Sequence, residues 1–94
     1  VLKSDKPVIV DFYSDSCLAC KKLAPVLGAV EDDYEDKINV YKVNTNFDAD
    51  LAEKYEVTAN PTLLFVKNGE VVDRTVGFQK PADLKNLADS LLNS

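Results

Sequence analysis

The chain contains two cysteines, Cys17 and Cys20, separated by Leu18 and Ala19, and no histidine. A thiol does its chemistry as the thiolate, which attacks disulfides and binds metals. A spacing of three lets two sulfurs meet across one helical turn, so such a pair can open and close a disulfide with little backbone movement. The absence of histidine excludes a Cys–His nucleophile pair and any imidazole ligand. A closed zinc site needs four Cys or His ligands. This chain offers two, so metal binding would need a site shared between two chains, and neither a metal nor a cofactor is expected. The same spacing also suits two packed thiols or an inert bridge, and the elements around the pair decide between these readings.

Val8 to Tyr13 is a nearly continuous apolar, β-branched run without alternation, the pattern of a strand covered on both faces. Asp11 is its one breach. A short polar turn follows. From Cys17 to about Glu35, Leu23, Val26, Leu27, Val30 and Tyr34 recur at helical spacing, with Ser16 placed to cap the helix and Pro25 inside it. The first sulfur then stands beside unpaired backbone N–H groups and the positive helix end, both of which favour a thiolate. Lys21 and Lys22 act in the same direction and Asp15 opposes them. Ile38 to Asn44 reads as the next strand, with Ile38, Val40 and Lys42 on one face and Tyr41 and Val43 on the other. Strand, long helix and strand make a right-handed parallel βαβ unit. In that setting the cysteine pair reads as a redox motif, with Cys17 the attacking and Cys20 the resolving thiol.

The remainder supports this unit. Asp48 to Tyr55 is a short helix anchored by Leu51 and Tyr55. Thr62 to Lys67 and Glu70 to Val76 are strands joined by Asn68-Gly69, a turn whose two residues both need positive φ. Pro81 to Leu92 is a closing helix with Leu84, Leu87, Ala88 and Leu91 on its buried stripe. The fold class is α/β: a mixed four-stranded sheet, half parallel βαβ and half antiparallel hairpin, with helices on both faces. Its 94 residues fit a single domain, 1–94. Hydrophobic residues at 46% and charged residues at 29% fit a globular chain. A net charge of −5 argues against nucleic acid and anionic membrane as partners, and no apolar run reaches the roughly 18 residues of a membrane span.

With these residues in place, the chain resembles the thioredoxin family. Val10-Asp11-Phe12-Tyr13 is similar to that family's strand before the site. Cys17-Leu18-Ala19-Cys20-Lys21 occupies the place of its Cys-Gly-Pro-Cys-Lys. Pro25, Ala59-Asn60-Pro61-Thr62, Lys67-Asn68-Gly69-Glu70 and Val76-Gly77 match further landmarks in order. The resemblance runs from about Pro7 to the end. It implies that Asp11 sits beneath the site and moves the proton of Cys20 through water, and that Lys42 pairs with Asp11. A carboxylate in an apolar strand is costly when charged, so its pKa should be raised, which suits that task. The resemblance also implies a cis Pro61 facing the cysteines, with Asn60 offering backbone to an extended substrate and Gly77 leaving room for it. Ser16, Leu18, Ala19, Ala59, Asn60, Pro61 and Gly77 are thus the expected substrate face.

Departures from the family set further expectations. Leu18-Ala19 replaces Gly-Pro, which predicts a less reducing couple. Tyr13 and Ser16 stand where tryptophans are usual, and Asn60 where a β-branched residue is common, so the docking face is more polar. The family's first strand and most of its first helix have no counterpart here, leaving 38–44 as an edge strand and the protein a monomer or weak dimer through it. The expected activity is reduction of disulfides in protein substrates, with recycling by a disulfide reductase or another thiol donor, in the cytoplasm. The alternatives are an oxidase or isomerase in a periplasmic or secreted setting, if a leader was removed, and a non-catalytic binding module of the same fold.

Overall fold

The structure, a computed structural model, describes residues 6–14, 17–58 and 61–93. The order of elements is β1 (Val8–Tyr13), α1 (Leu18–Asp33), β2 (Asn39–Asn44), α2 (Ala49–Lys54), β3 (Thr62–Lys67), β4 (Glu70–Val76) and α3 (Pro81–Asn93). The four strands form one sheet in the order β2-β1-β3-β4. β1 and β2 run parallel, with Asp11 opposite Lys42. β3 runs antiparallel to β1, and β4 antiparallel to β3. This is the mixed sheet expected from the sequence, with 39–44 as an edge strand.

β1 and β3 are central because their residues are apolar on both faces. Ile9, Leu63 and Phe65 pack against Leu23, Leu27 and Val30 of α1 and Leu84, Ala88 and Leu91 of α3. Val8, Val10, Phe12, Leu64 and Val66 face the other way, towards Ala52 of α2. Asp11 shares the face of Ile9 by strand alternation, so its carboxyl lies on the α1 side. The hairpin turn is as its residues demand: Asn68 has φ 55 and Gly69 φ 81, with Lys67 paired to Glu70. At the foot of α1, the Ile38 N–H donates to the Tyr34 carbonyl at 2.8 Å. The helix itself is closed by the Tyr34 N–H, which donates to the Val30 carbonyl at 2.9 Å, and the Ile38 bond belongs to the turn before β2, which starts at Asn39.

Two expectations need correction. α2 is not anchored by Leu51, which is 36% exposed; Ala52 is the buried residue. Ala52 and Tyr55 are i and i+3, so they share the sheet-facing side. The small side chain lets this short helix lie close to the strands, and Leu51 falls on its rim. Tyr55 does anchor, its ring centroid 6.3 Å from that of Phe12. Leu87 of α3 is only partly buried, packed at the margin of the α1-side core.

One tie was not visible in the sequence. Arg74 of β4 donates from Nη1 to the Glu56 carbonyl at 3.2 Å and from Nη2 to the Tyr55 carbonyl. These carbonyls lie where the chain leaves α2, at Glu56 with φ 57. The guanidinium fork thus fixes the turn that leads towards Pro61. Arg74→Ala should lower the unfolding free energy by about 1 kcal/mol, the net worth of a hydrogen bond, and Arg74→Lys should not restore it, since an ammonium lacks the planar fork. Urea denaturation of the three proteins checks this; equal midpoints would remove the clamp.

Candidate active site

The C-terminal ends of β1, β2 and β4 and the start of β3 share one edge of the sheet. Cys17 is held there as the N-cap residue of α1, with extended backbone (φ −87, ψ 112). Its N–H donates to the Ser14 carbonyl at 3.2 Å, and its carbonyl accepts from the Lys21 N–H at 3.3 Å. Its Sγ accepts from the Cys20 N–H at 3.1 Å. The sulfur itself therefore caps the helix, where a Ser16 hydroxyl was expected; Ser16 lies outside the described residues. A donor aimed at Sγ gains most when the sulfur is anionic, because charge-assisted hydrogen bonds are the stronger ones.

The two thiols, both unbridged, differ in environment. Cys17 is half-buried and Cys20 buried. Burial pushes the Cys20 thiol up to about 11, helped by its hydrogen bond with Cys17 and the negative charges of Cys17 and Asp11, against a Ser14 backbone hydrogen bond that draws it down. Cys20 opens onto a cavity of about 320 Å³ that it shares with Asp11, Tyr13, Ser14, Lys21 and Lys42. Asp11 is 7% exposed, and its Oδ1 has no hydrogen-bond partner among the described residues. Burial raises its pKa to about 6, with the Lys42 charge pulling the other way. One cavity thus holds a thiol that keeps its proton at neutral pH and a carboxylate able to take one.

The structure brings Cys17, Cys20, Asp11 and Lys42 together. It sets Leu18 out in solvent, 68% exposed, and leaves Ala19 half-buried. Pro61 is buried, and its carbonyl accepts the Gly77 N–H at 2.9 Å, so these two extend the β3–β4 pairing at the same edge. Gly77 has φ 89 with open space where a Cβ would stand; glycine is needed there for the backbone angle. Ala59 and Asn60, like Ser16, lie outside the described residues. Sequence reasoning missed Ser14, which bonds both cysteines. Its signal was positional, as the carbonyl three residues before a helix cap. Among the described residues, no three His, Cys, Asp or Glu side chains are grouped to hold a metal ion.

The family model for thioredoxin matches residues 1–90. The chain is 38% identical over 84 residues to a thioredoxin of Rickettsia bellii, covering 89% of this chain and 80% of that protein. It is 44% identical over 77 residues to thioredoxin 1 of a Nostoc species, covering 82% and 72%. A thioredoxin of Porphyra purpurea is 38% identical over 93 residues, covering 99% and 83%.

The burial of Asp11 has a measurable cost. With its pKa raised from 3.8 to about 6, the folded chain holds this proton more tightly than the unfolded chain. Stability should fall as pH rises through that window and stay at the lower level above it. Asp11→Asn should then gain up to about 3 kcal/mol at pH 8 and almost nothing at pH 4. Urea titrations at both pH values check this; a gain independent of pH would mean that charge is not the cause.

Proposed function

This chain belongs to the thioredoxin family, and we propose that Cys17 and Cys20 carry its reaction as attacking and resolving thiols. The protein is a protein-disulfide oxidoreductase. What supports the assignment of roles is a single asymmetry. The half-buried sulfur receives a backbone N–H, while the buried one keeps its proton over a cavity shared with Asp11.

The Cys17 thiolate attacks one sulfur of a protein disulfide. A Cys17–substrate disulfide forms, and the other substrate sulfur leaves as a thiolate that takes a proton from water. Cys20 then passes its proton to the Asp11 carboxylate across the cavity. The Cys20 thiolate attacks Cys17 Sγ, the Cys17–Cys20 disulfide forms as the Cys17–substrate bond breaks, and the second substrate sulfur departs as a thiolate that takes a proton from water. Two electrons have moved from the pair to the substrate. Asp11 returns its proton to solvent, and Lys42, opposite it in the sheet, steadies the charged carboxylate. The substrate lies against Leu18, Ala19, Ser16 and the Ala59–Asn60–Pro61 and Gly77 backbone. A reductase or another thiol donor restores the dithiol, and we assign the work to a reducing, cytoplasmic setting.

Cys17→Ser should bring dithiothreitol-driven insulin reduction down to the rate seen without protein. Cys20→Ser should instead accumulate a mixed disulfide through Cys17, seen as a mass increase that reducing agent removes. The opposite pattern would exchange the roles. Loss of proline between the cysteines also predicts a reduction potential above the roughly −270 mV of a standard thioredoxin. Equilibration with glutathione measures it. A value at or below that level would sink this reading of Leu18-Ala19, and one near the −120 mV of a strong oxidant would favour an oxidase instead.

A further inference from the structure

The turn after β2 displays an aromatic side chain that the fold does not use. Phe47 is 82% exposed, more than any other large apolar side chain described. Its position is well fixed. The Thr45 N–H and Oγ1 both donate to the Tyr13 carbonyl, at 2.8 and 3.1 Å. The Asn46 N–H is held by Asn44 Oδ1 at 2.9 Å, and the Phe47 and Asp48 N–H groups by the Asn44 carbonyl at 3.0 and 2.9 Å. Tyr13 is the last residue of β1, followed by Ser14, whose carbonyl holds Cys17. The turn therefore stands one strand spacing, about 4.8 Å, to the side of the strand that delivers the cysteines. A protein disulfide carries chain on both sides of the attacked sulfur, so a substrate with one arm along the Pro61–Gly77 side has its other arm free to cross this edge, and among the described residues nothing in the packing requires phenylalanine at 47.

We propose that Phe47 is a specificity-determining residue that binds an apolar or aromatic side chain flanking the scissile disulfide of the protein substrate. The inference rests on Cys17 being the attacked-disulfide contact. It extends the docking surface from the Leu18 side of the site to the β2 side, away from Pro61 and Gly77. Because Phe47 makes its contact before and during attack alike, it acts on KM and leaves kcat unmoved.

The test uses disulfide-bridged peptides: an all-serine parent around the cysteine, and a set with one phenylalanine scanned over four residues on either side. With the wild-type protein, phenylalanine at one or two positions should lower KM about tenfold relative to the parent, the scale of covering an aromatic side chain. Phe47→Ser should erase that preference and Phe47→Leu should keep most of it. Equal KM across the set, an unaltered preference in Phe47→Ser, or a preference carried by kcat would each overturn the proposal. So would a dimer that Phe47→Ser dissolves in sedimentation, which would give the side chain to a second copy of this chain. A wild-type protein unable to reduce even the parent peptide would bring down the reading of Cys17 as well, and so mark that failure apart from the others.

Discussion

A pair of thiols divides into an attacking and a resolving partner only if the protein treats its two sulfurs unequally. Here the inequality has two sources in the first turn of α1, the burial of Cys20 and the Cys20 N–H donated to Cys17 Sγ. The same residue that presents its amide keeps its own thiol buried. The helix thus supplies an electrostatic partner to one sulfur and removes water from the other. Everything else holds that turn in place. Ser14 fixes the approach, β1 fixes Ser14, and the two-sided core of Ile9, Phe12, Leu63 and Leu64 fixes β1.

Asp11 shows what this arrangement demands of the fold. A strand buried on both faces is the place where a carboxylate is most costly. The sheet tolerates it because Lys42 is in register on the neighbouring strand and because the carboxyl faces a cavity and not close-packed apolar atoms. The surrounding core, in which Ile9, Leu27, Leu63 and Leu84 are fully buried, supplies stability that offsets the loss. Site and core are therefore opposed in energy and joined in structure. The exposed features divide differently. Asp73 Oδ1 takes up the Arg74 N–H at 2.8 Å on the outer strand β4, which removes one backbone donor from an edge open to pairing.

Much of this was legible in the sequence where a residue type has one structural use. Asn68-Gly69 demanded a two-residue hairpin, and the unbroken run at Val8–Tyr13 demanded a strand covered on both faces. Cys-x-x-Cys between such a strand and an amphipathic helix pointed to redox chemistry, and the family resemblance supplied the roles proposed for Asp11 and Lys42. What stayed hidden depended on backbone partners or on small residues. Ser16 looked like the cap because hydroxyls are the usual capping groups, and a sulfur taking that place has no signature. Ala52 carries too little apolar surface to stand out beside Leu51. Arg74 binds carbonyls 18 and 19 positions away, and no pattern of side chains announces that.

The strand order carries a consequence for when the site comes into being. β1 precedes the other described strands, yet it lies between β2 and β3, and Asp11 is flanked by Lys42 on one side and Leu63 on the other. During synthesis the cysteines emerge early, while the antiparallel neighbour of their strand emerges late. The local β3–β4 hairpin closes quickly, but β1 is boxed in only when that hairpin docks across a long loop of chain. The burial that raises the pKa of Asp11 and of Cys20 is a property of the completed sheet. The two thiols acquire different characters as the last strands pair, so completion of the sheet is the event that turns a pair of cysteines into a couple.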